Sequence, residues 1–73
     1  MNDTELLKSL FEQLYTAYGR QLHAYLLGKT GCKETAGDLL QDVMLRIWNR
    51  MDDLYGMTPD RRRYWIFAVA ANL

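Results

Sequence analysis

The sequence predicts a small all-α domain, a three-helix bundle with short connections. Three apolar patterns recur at helical spacing, and no stretch alternates as a strand would. The chain has no internal repeat and no low-complexity segment. Of its 73 residues, 49% are hydrophobic and 25% are charged, which is a globular composition. We therefore expect one domain over residues 1–73, with helices at about 4–28, 33–51 and 59–73.

The first predicted helix begins near Thr4, whose hydroxyl can cap it, and ends near Gly28. A broad apolar stripe at i, i+3, i+4 and i+7 spacing predicts that one side of this helix faces the core. The stripe consists of Leu7, Leu10, Phe11, Leu14, Tyr18, Leu22, Tyr25 and Leu26.

The central predicted helix runs from about Lys33 to Met51, with Cys32 at its N-cap position. Its apolar face is formed by Ala36, Leu40, Val43, Ile47, Met51 and Leu54. The opposite face carries Asp38, Gln41, Asp42, Asn49 and Asp52, with Leu45 among them. A large apolar side chain framed by acids and amides is typical of a small docking surface. Spacing alone leaves open a solvated face with one exposed leucine, since such residues are normal on protein surfaces.

The last predicted helix follows a loop at 52–57 and begins at Thr58 and Pro59, a capping hydroxyl before a proline at the first helical position. Its core face is formed by Trp65, Ile66, Val69, Ala70 and Leu73, and its other side carries Tyr64, Phe67, Ala68 and Ala71. No Gly, Lys or Arg stop signal precedes Leu73, so we expect the chain end to cut this helix. One core cannot cover both sides, and we expect a symmetric homodimer whose interface includes Phe67.

Composition narrows the classes of function. Nine basic and nine acidic residues cancel, so any DNA contact must be local, and residues 61–63 form the only dense positive site. With one histidine and one cysteine, no nucleophile–base pair or metal-ligand spacing is readable. We expect a protein that is not an enzyme and needs no cofactor or metal.

The single cysteine, the absence of a long apolar run and the polar N-terminus predict a soluble, cytoplasmic protein without a membrane partner.

Four motifs from Leu10 to Leu73 resemble region 2 of bacterial RNA polymerase sigma factors, in particular the extracytoplasmic-function (ECF) group. The two later motifs, at this separation, are the more specific. The motifs are Leu14-Tyr15-x-x-Tyr18, Leu22-x-x-Tyr25-Leu26, Asp38-Leu39-Leu40-Gln41-Asp42-Val43-x-Leu45-Arg46-Ile47-Trp48 and Trp65-Ile66-Phe67-x-Val69-Ala70-x-Asn72-Leu73.

The resemblance implies that the central helix docks onto the clamp helices of the polymerase β′ subunit. By motif position the contacts are Asp38, Gln41 and Asp42, and the same face adds Leu45 and Asn49. The resemblance also implies an anti-sigma factor as a partner.

The last helix and the loop before it are implied to engage the minus-ten promoter element and its melted strand. The matching residues are Arg61, Arg62, Arg63 and Tyr64, with Asn72 as a further contact. We interpret Trp65 as a core residue because it shares a face with Val69 and Leu73.

Two departures from the family pattern favour weaker DNA contact. Ala68 and Ala71 stand where family members often carry Arg, and the second DNA-binding domain is not in this sequence. The expected function is therefore promoter recognition in transcription initiation. The alternative is an interaction-only module that binds polymerase or an anti-sigma factor without reading DNA.

Overall fold

A computed structural model describes residues 3–73, which form four helices. These are α1 (Asp3–Thr30), α2 (Lys33–Trp48), α3 (Met51–Tyr55) and α4 (Pro59–Ala71). No strand occurs within residues 3–73, and the predicted all-α fold is confirmed. The 28 residues of α1 span about 42 Å at the usual helical rise, which matches the longest dimension of the domain, 43 Å. The length of α1 therefore sets the long axis of the bundle.

The core is one cluster of apolar side chains to which all four helices contribute. Its buried members are Leu14, Leu22, Leu26, Ala36, Val43, Met44, Ile47, Met51, Leu54, Ile66 and Ala70. Within residues 3–73 no polar or charged residue is buried. Removal of apolar surface from water is therefore the main force that holds the helices together.

The turn between α1 and α2 depends on Gly31, whose φ of +70° lies in the left-handed region that glycine tolerates best. Its backbone N–H donates to the carbonyl oxygen of Leu27 at 2.7 Å. The hydroxyl of Thr30 donates to the carbonyl oxygen of Leu26 at 2.8 Å. The first bond satisfies one of the last four carbonyl groups of α1, and the second adds a side-chain donor to a carbonyl one residue earlier.

The predicted central helix is divided in two, and the predicted loop at 52–57 is in large part wrong. A turn at Asn49 and Arg50 ends α2, and the backbone of Arg50 leaves the helical region at φ −119° and ψ 20°. The short helix α3 then places Met51 and Leu54 in the core, at 2% and 0% exposure. The apolar periodicity predicted the burial of both side chains but not the break before them.

Arg62 ties α3 and the following loop to α4. Its Nε donates to the carbonyl oxygen of Leu54 at 2.9 Å, and its Nη2 donates to that of Met57 at 2.9 Å. One carbonyl in the last turn of a five-residue helix and one in the loop after it thereby gain a charged donor.

The ends of α4 are capped by side chains. The hydroxyl of Thr58 accepts from the N–H of Arg61 at 3.3 Å, with Pro59 next in sequence, as predicted. At the other end Nδ2 of Asn72 donates to the carbonyl oxygen of Ala68 at 2.8 Å. Nζ of Lys29, at the end of α1, donates to the carbonyl oxygen of Ala71 at 3.3 Å. The helix thus ends two residues before the predicted boundary.

The expectation that Phe67 lies on an uncovered face is wrong. Its ring packs edge to face against that of Tyr18 on α1, with centroids 5.8 Å apart and an interplanar angle of 81°. The guanidinium of Arg63 lies 6.0 Å from the centroid of the same ring. Phe67 is consequently partly buried by residues of its own chain. The homodimer was expected because Phe67 would otherwise be uncovered, and that argument no longer holds.

We predict that Arg62→Gln lowers the free energy of unfolding by about 1.5–3 kcal/mol, because two main-chain carbonyls lose a charged donor. Urea denaturation followed by circular dichroism measures the change. Arg61→Gln is the matched control. Arg61 is exposed, and its replacement removes the same charge from the same helix turn. Equal loss in both variants would show that the guanidinium of Arg62 does not anchor α3.

A second prediction concerns the start of α2, where Cys32 is the N-cap in an extended conformation and its neutral thiol makes no capping hydrogen bond. The pKa of this thiol is lowered because the Thr35 hydroxyl and the backbone N–H groups of Thr35 and Glu34 stabilise the thiolate. A stronger acceptor at this position should cap the helix. We expect Cys32→Ser to raise the free energy of unfolding by about 0.5–1 kcal/mol in the same urea assay. If Cys32→Ala stabilises the domain as much, capping is not the cause.

Candidate functional site

The acidic face of α2 lies outward, as the sequence predicts. Asp38, Gln41 and Asp42 are exposed, and none of the three forms a side-chain hydrogen bond or an ion pair with another described residue. Leu45 lies beside them with 61% of its surface exposed. The structure therefore brings these four predicted contacts together on one exposed helix face.

Asn49 is separated from that group. It is the C-cap residue of α2, where its backbone N–H donates to the carbonyl oxygen of Leu45 at 3.0 Å. Its side chain lines a different groove, with Arg46 and Arg50.

An open apolar groove adjoins Leu45 between α1 and α2, with a volume of about 620 Å³. We call it the α1–α2 groove, and its large lining residues are Phe11, Tyr15, Leu40, Met44, Leu45 and Trp48. The rings of Phe11 and Trp48 meet edge to face, with centroids 5.2 Å apart. Tyr15 is 51% exposed and Trp48 39%.

The sequence analysis did not assign Tyr15 or Trp48 to the docking surface. Both belong to the quoted motifs, and Trp48 follows Leu45 by three residues, a spacing that places two side chains on adjacent parts of a helix surface. The spacing in the sequence was therefore enough to place Trp48 beside Leu45. Placing Tyr15 required knowledge of how α1 packs on α2.

The outer surface of α4 carries the other predicted contacts. Tyr64 is 79% exposed, and Arg61 and Arg63 are exposed as well. A groove of about 740 Å³ runs beside Tyr64 toward α1, which contributes Gln21 to its lining. We call it the α1–α4 groove. Its polar and aromatic lining offers hydrogen-bonding groups and a ring face to a ligand.

Two of the residues predicted to bind DNA have structural roles. Nε and Nη2 of Arg62 donate hydrogen bonds to the main-chain carbonyl oxygens of residues 54 and 57. Nδ2 of Asn72 donates a hydrogen bond to a main-chain carbonyl oxygen of α4. Asn72 is nevertheless exposed and lines the α1–α4 groove. Trp65 is partly buried against the core. The structure thus leaves Arg61, Arg63, Tyr64 and part of Asn72 accessible on this side.

No group of three or more His, Cys, Asp or Glu side chains within residues 3–73 is placed to hold a metal ion. None of the helices described above combines the length and the apolar character that a membrane span requires.

Comparison with known proteins gives the family. Residues 14–73 match the family model described as Sigma-70 region 2. The match covers most of the sequence, and the chain belongs to the sigma-70 region 2 family. The resemblance carried by the four motifs is confirmed.

The matched relatives are ECF RNA polymerase sigma factors named SigL, from three strains of Mycobacterium tuberculosis (Erdman, CDC 1551 and H37Rv). Each is 34% identical to this chain over 65 residues. The alignment covers 89% of this chain and 36% of the relative, so the chain spans about a third of the length of the curated relatives it matches. No solved structure matches the chain significantly.

Proposed function

We propose that this chain acts in transcription initiation as region 2 of an ECF sigma factor. In this proposal α2 docks onto the clamp helices of the RNA polymerase β′ subunit, and α4 contacts the melted strand of the minus-ten promoter element. The observation that carries the docking step is the exposure of Leu45 beside Asp38, Gln41 and Asp42, on a helix whose opposite face is buried. Family membership and the similarity to ECF RNA polymerase sigma factors support the same role.

The free surface of α2 suits a helical partner that carries basic residues. The carboxylates of Asp38 and Asp42 have no ion pair within the described part of the chain, so pairing with Arg or Lys on a partner breaks no internal contact. Leu45 and the α1–α2 groove beside it supply apolar area at the centre of the same surface. An apolar centre with a charged rim is the usual arrangement of a protein–protein interface.

We predict that Asp42→Arg weakens binding to isolated β′ clamp helices by about 2 kcal/mol or more, because the partner's cation then faces a like charge. A titration followed by fluorescence anisotropy measures the affinity. Circular dichroism checks that the helix content is unchanged.

The matched control is Asp52→Arg, which reverses an exposed carboxylate beside Leu6 and Tyr55, away from this surface. The same loss with Asp52→Arg would indicate a general effect of net charge. Unchanged affinity with Asp42→Arg would remove α2 from the docking surface.

The proposed contact with the promoter strand is local and weak on its own. Basic and acidic residues balance over the whole chain, so only a few phosphates can be neutralised and the salt dependence should be shallow. An aromatic side chain as exposed as Tyr64 provides a face on which an unpaired base can stack.

We predict that Tyr64→Ala weakens binding to a single-stranded oligonucleotide containing a minus-ten element by about 1–3 kcal/mol. Anisotropy with single-stranded and duplex forms of the oligonucleotide tests this. Tyr55→Ala serves as the control, since Tyr55 is also an exposed tyrosine, at 50%, but lies on α3. Tight duplex binding by the chain alone, or equal effects of the two variants, would contradict the proposal.

An interaction-only module is the second candidate function. In it the α2 surface binds polymerase or an anti-sigma factor, and no DNA is read. The main-chain hydrogen bonds of Arg62 and Asn72 favour this candidate because they withdraw donors that the family resemblance assigned to DNA. Loss of polymerase binding in Asp42→Arg, together with no effect of Tyr64→Ala on any oligonucleotide, would support it.

A further inference from the structure

The carboxyl ends of α1 and α4 approach each other, and one ammonium group links them. Lys29 belongs to the last turn of α1, and its Nζ donates to the carbonyl oxygen of Ala71, the last residue of α4, at 3.3 Å. The last turn of α4 contains no basic residue of its own. Because the carboxyl end of a helix carries a partial negative charge, Lys29 supplies from α1 the cation that the end of α4 lacks.

We propose that Lys29 is a positioning residue for the contact that α4 makes with the promoter strand, and that it acts through Asn72. The inference rests on the proposed function, because it names a residue that shapes a surface assigned there. Lys29 belongs to none of the four sequence motifs and lines neither the α1–α2 groove nor the α1–α4 groove. Its role is therefore distinct from that of the residues proposed to touch the strand.

Ala71 and Asn72 both line the α1–α4 groove, which also contains Tyr64. Nδ2 and the backbone N–H of Asn72 donate to the carbonyl oxygen of Ala68, at 2.8 and 3.1 Å. Both bonds lie within α4, so they fix Asn72 to its own helix but not to α1. The bond from Lys29 to the preceding residue supplies the connection to α1, and it leaves the side-chain oxygen of Asn72 available as an acceptor.

The last turn of α4 has little apolar contact to hold it in place. Ala70 is the last residue of α4 that is fully buried, and its side chain is a single methyl group. Leu73, beyond it, is only partly buried. Helix ends with few buried contacts open most easily. A polar contact between helices therefore has a larger effect on the position of Asn72 than it would have in the middle of α4.

The side chain of Lys29 is itself held in place by α1. The hydroxyl of Thr30 and the backbone N–H of Gly31 donate to carbonyl oxygens of α1 and keep this helix intact to its end. One turn earlier lies Tyr25, and Nζ of Lys29 is 6.0 Å from the centroid of its ring. An ammonium at this distance is attracted to an aromatic face. The ring therefore restricts a long side chain that would otherwise lose more conformational entropy on reaching α4.

Hydrogen exchange followed by NMR tests whether Lys29 holds the end of α4. In Lys29→Gln we expect the backbone amides of residues 70–72 to exchange about threefold faster, because the helix end loses its cation. Lys29→Arg keeps a cation with N–H donors and should restore most of the protection. The control Lys8→Gln removes the same charge from an exposed site near the start of α1 and should leave these amides unchanged.

Anisotropy with the single-stranded minus-ten oligonucleotide tests whether this position matters for binding. We expect Lys29→Gln to weaken binding about threefold, and we expect Lys29→Arg to bind almost as the unchanged chain does. Lys8→Gln again reports the effect of net charge alone, and its loss should be smaller.

A double-mutant cycle with Asn72→Ala separates positioning from direct contact. If Lys29 acts through Asn72, the double variant Lys29→Gln/Asn72→Ala should bind about as weakly as Asn72→Ala alone, since the group that is positioned has been removed. If Lys29 instead binds a phosphate itself, the two losses should add.

Four results would overturn the inference: additive losses, no effect of Asn72→Ala on binding, equal losses in Lys29→Arg and Lys29→Gln, or faster exchange in Lys29→Gln with unchanged affinity. In each case the proposed α4 contact stands as long as Tyr64→Ala weakens binding. Failure of the proposed contact is recognised separately, because the unchanged chain then binds no oligonucleotide at low salt. That result would overturn the inference as well, while docking through α2 would still be judged by Asp42→Arg.

Discussion

The structure depends on the packing of one long helix against three shorter ones. α1 contributes Leu14, Leu22 and Leu26 to a core in which no described polar residue is buried. Hydrophobic contact is not directional, so it does not by itself fix where each helix ends or how the chain turns between helices. Those features depend on a small number of hydrogen bonds made by side chains and by turns.

These directional contacts lie at the helix ends. Gly31 permits the turn into α2, Arg62 donates to one carbonyl in α3 and one in the loop after it, and Lys29 reaches the end of α4. The contacts of Lys29 and Arg62 join residues 42 and 8 positions apart in the chain. Each therefore fixes one helix relative to another, which the apolar core alone leaves free to slide. The break after α2 comes at Arg50, whose backbone leaves the helical region, and it allows α3 to place Met51 and Leu54 in the core.

The sequence predicted the fold and much of the proposed docking surface because both follow from helical periodicity. Buried Val43 and Ile47 lie on one side of α2, and exposed Asp42 and Leu45 lie on the other, as a period of 3.6 residues requires. The start of α4 was also predictable, since Thr58 and Pro59 act locally.

The rest could not be predicted because it depends on contacts between helices. The role of Arg62 follows from where α3 ends, and the cover over Phe67 follows from how Tyr18 on α1 meets α4. The break at Asn49 and Arg50 contains neither Gly nor Pro, so no local signal announces it. Tyr15 enters the site only through the packing of α1 on α2. For the same reason the arginine cluster at 61–63 did not reveal that its middle member faces the main chain.

Helix α2 separates two surfaces of different chemistry. Its outward carboxylates, Asp38 and Asp42, lie in the first ten residues, and Arg46 lies in the last turn. Arg46 and Arg50 then line the groove shared with α4. In the proposed complex a basic partner helix meets the acidic part of α2. A chain with zero net charge can therefore present an acidic surface on one helix through the distribution of its charges rather than through their sum.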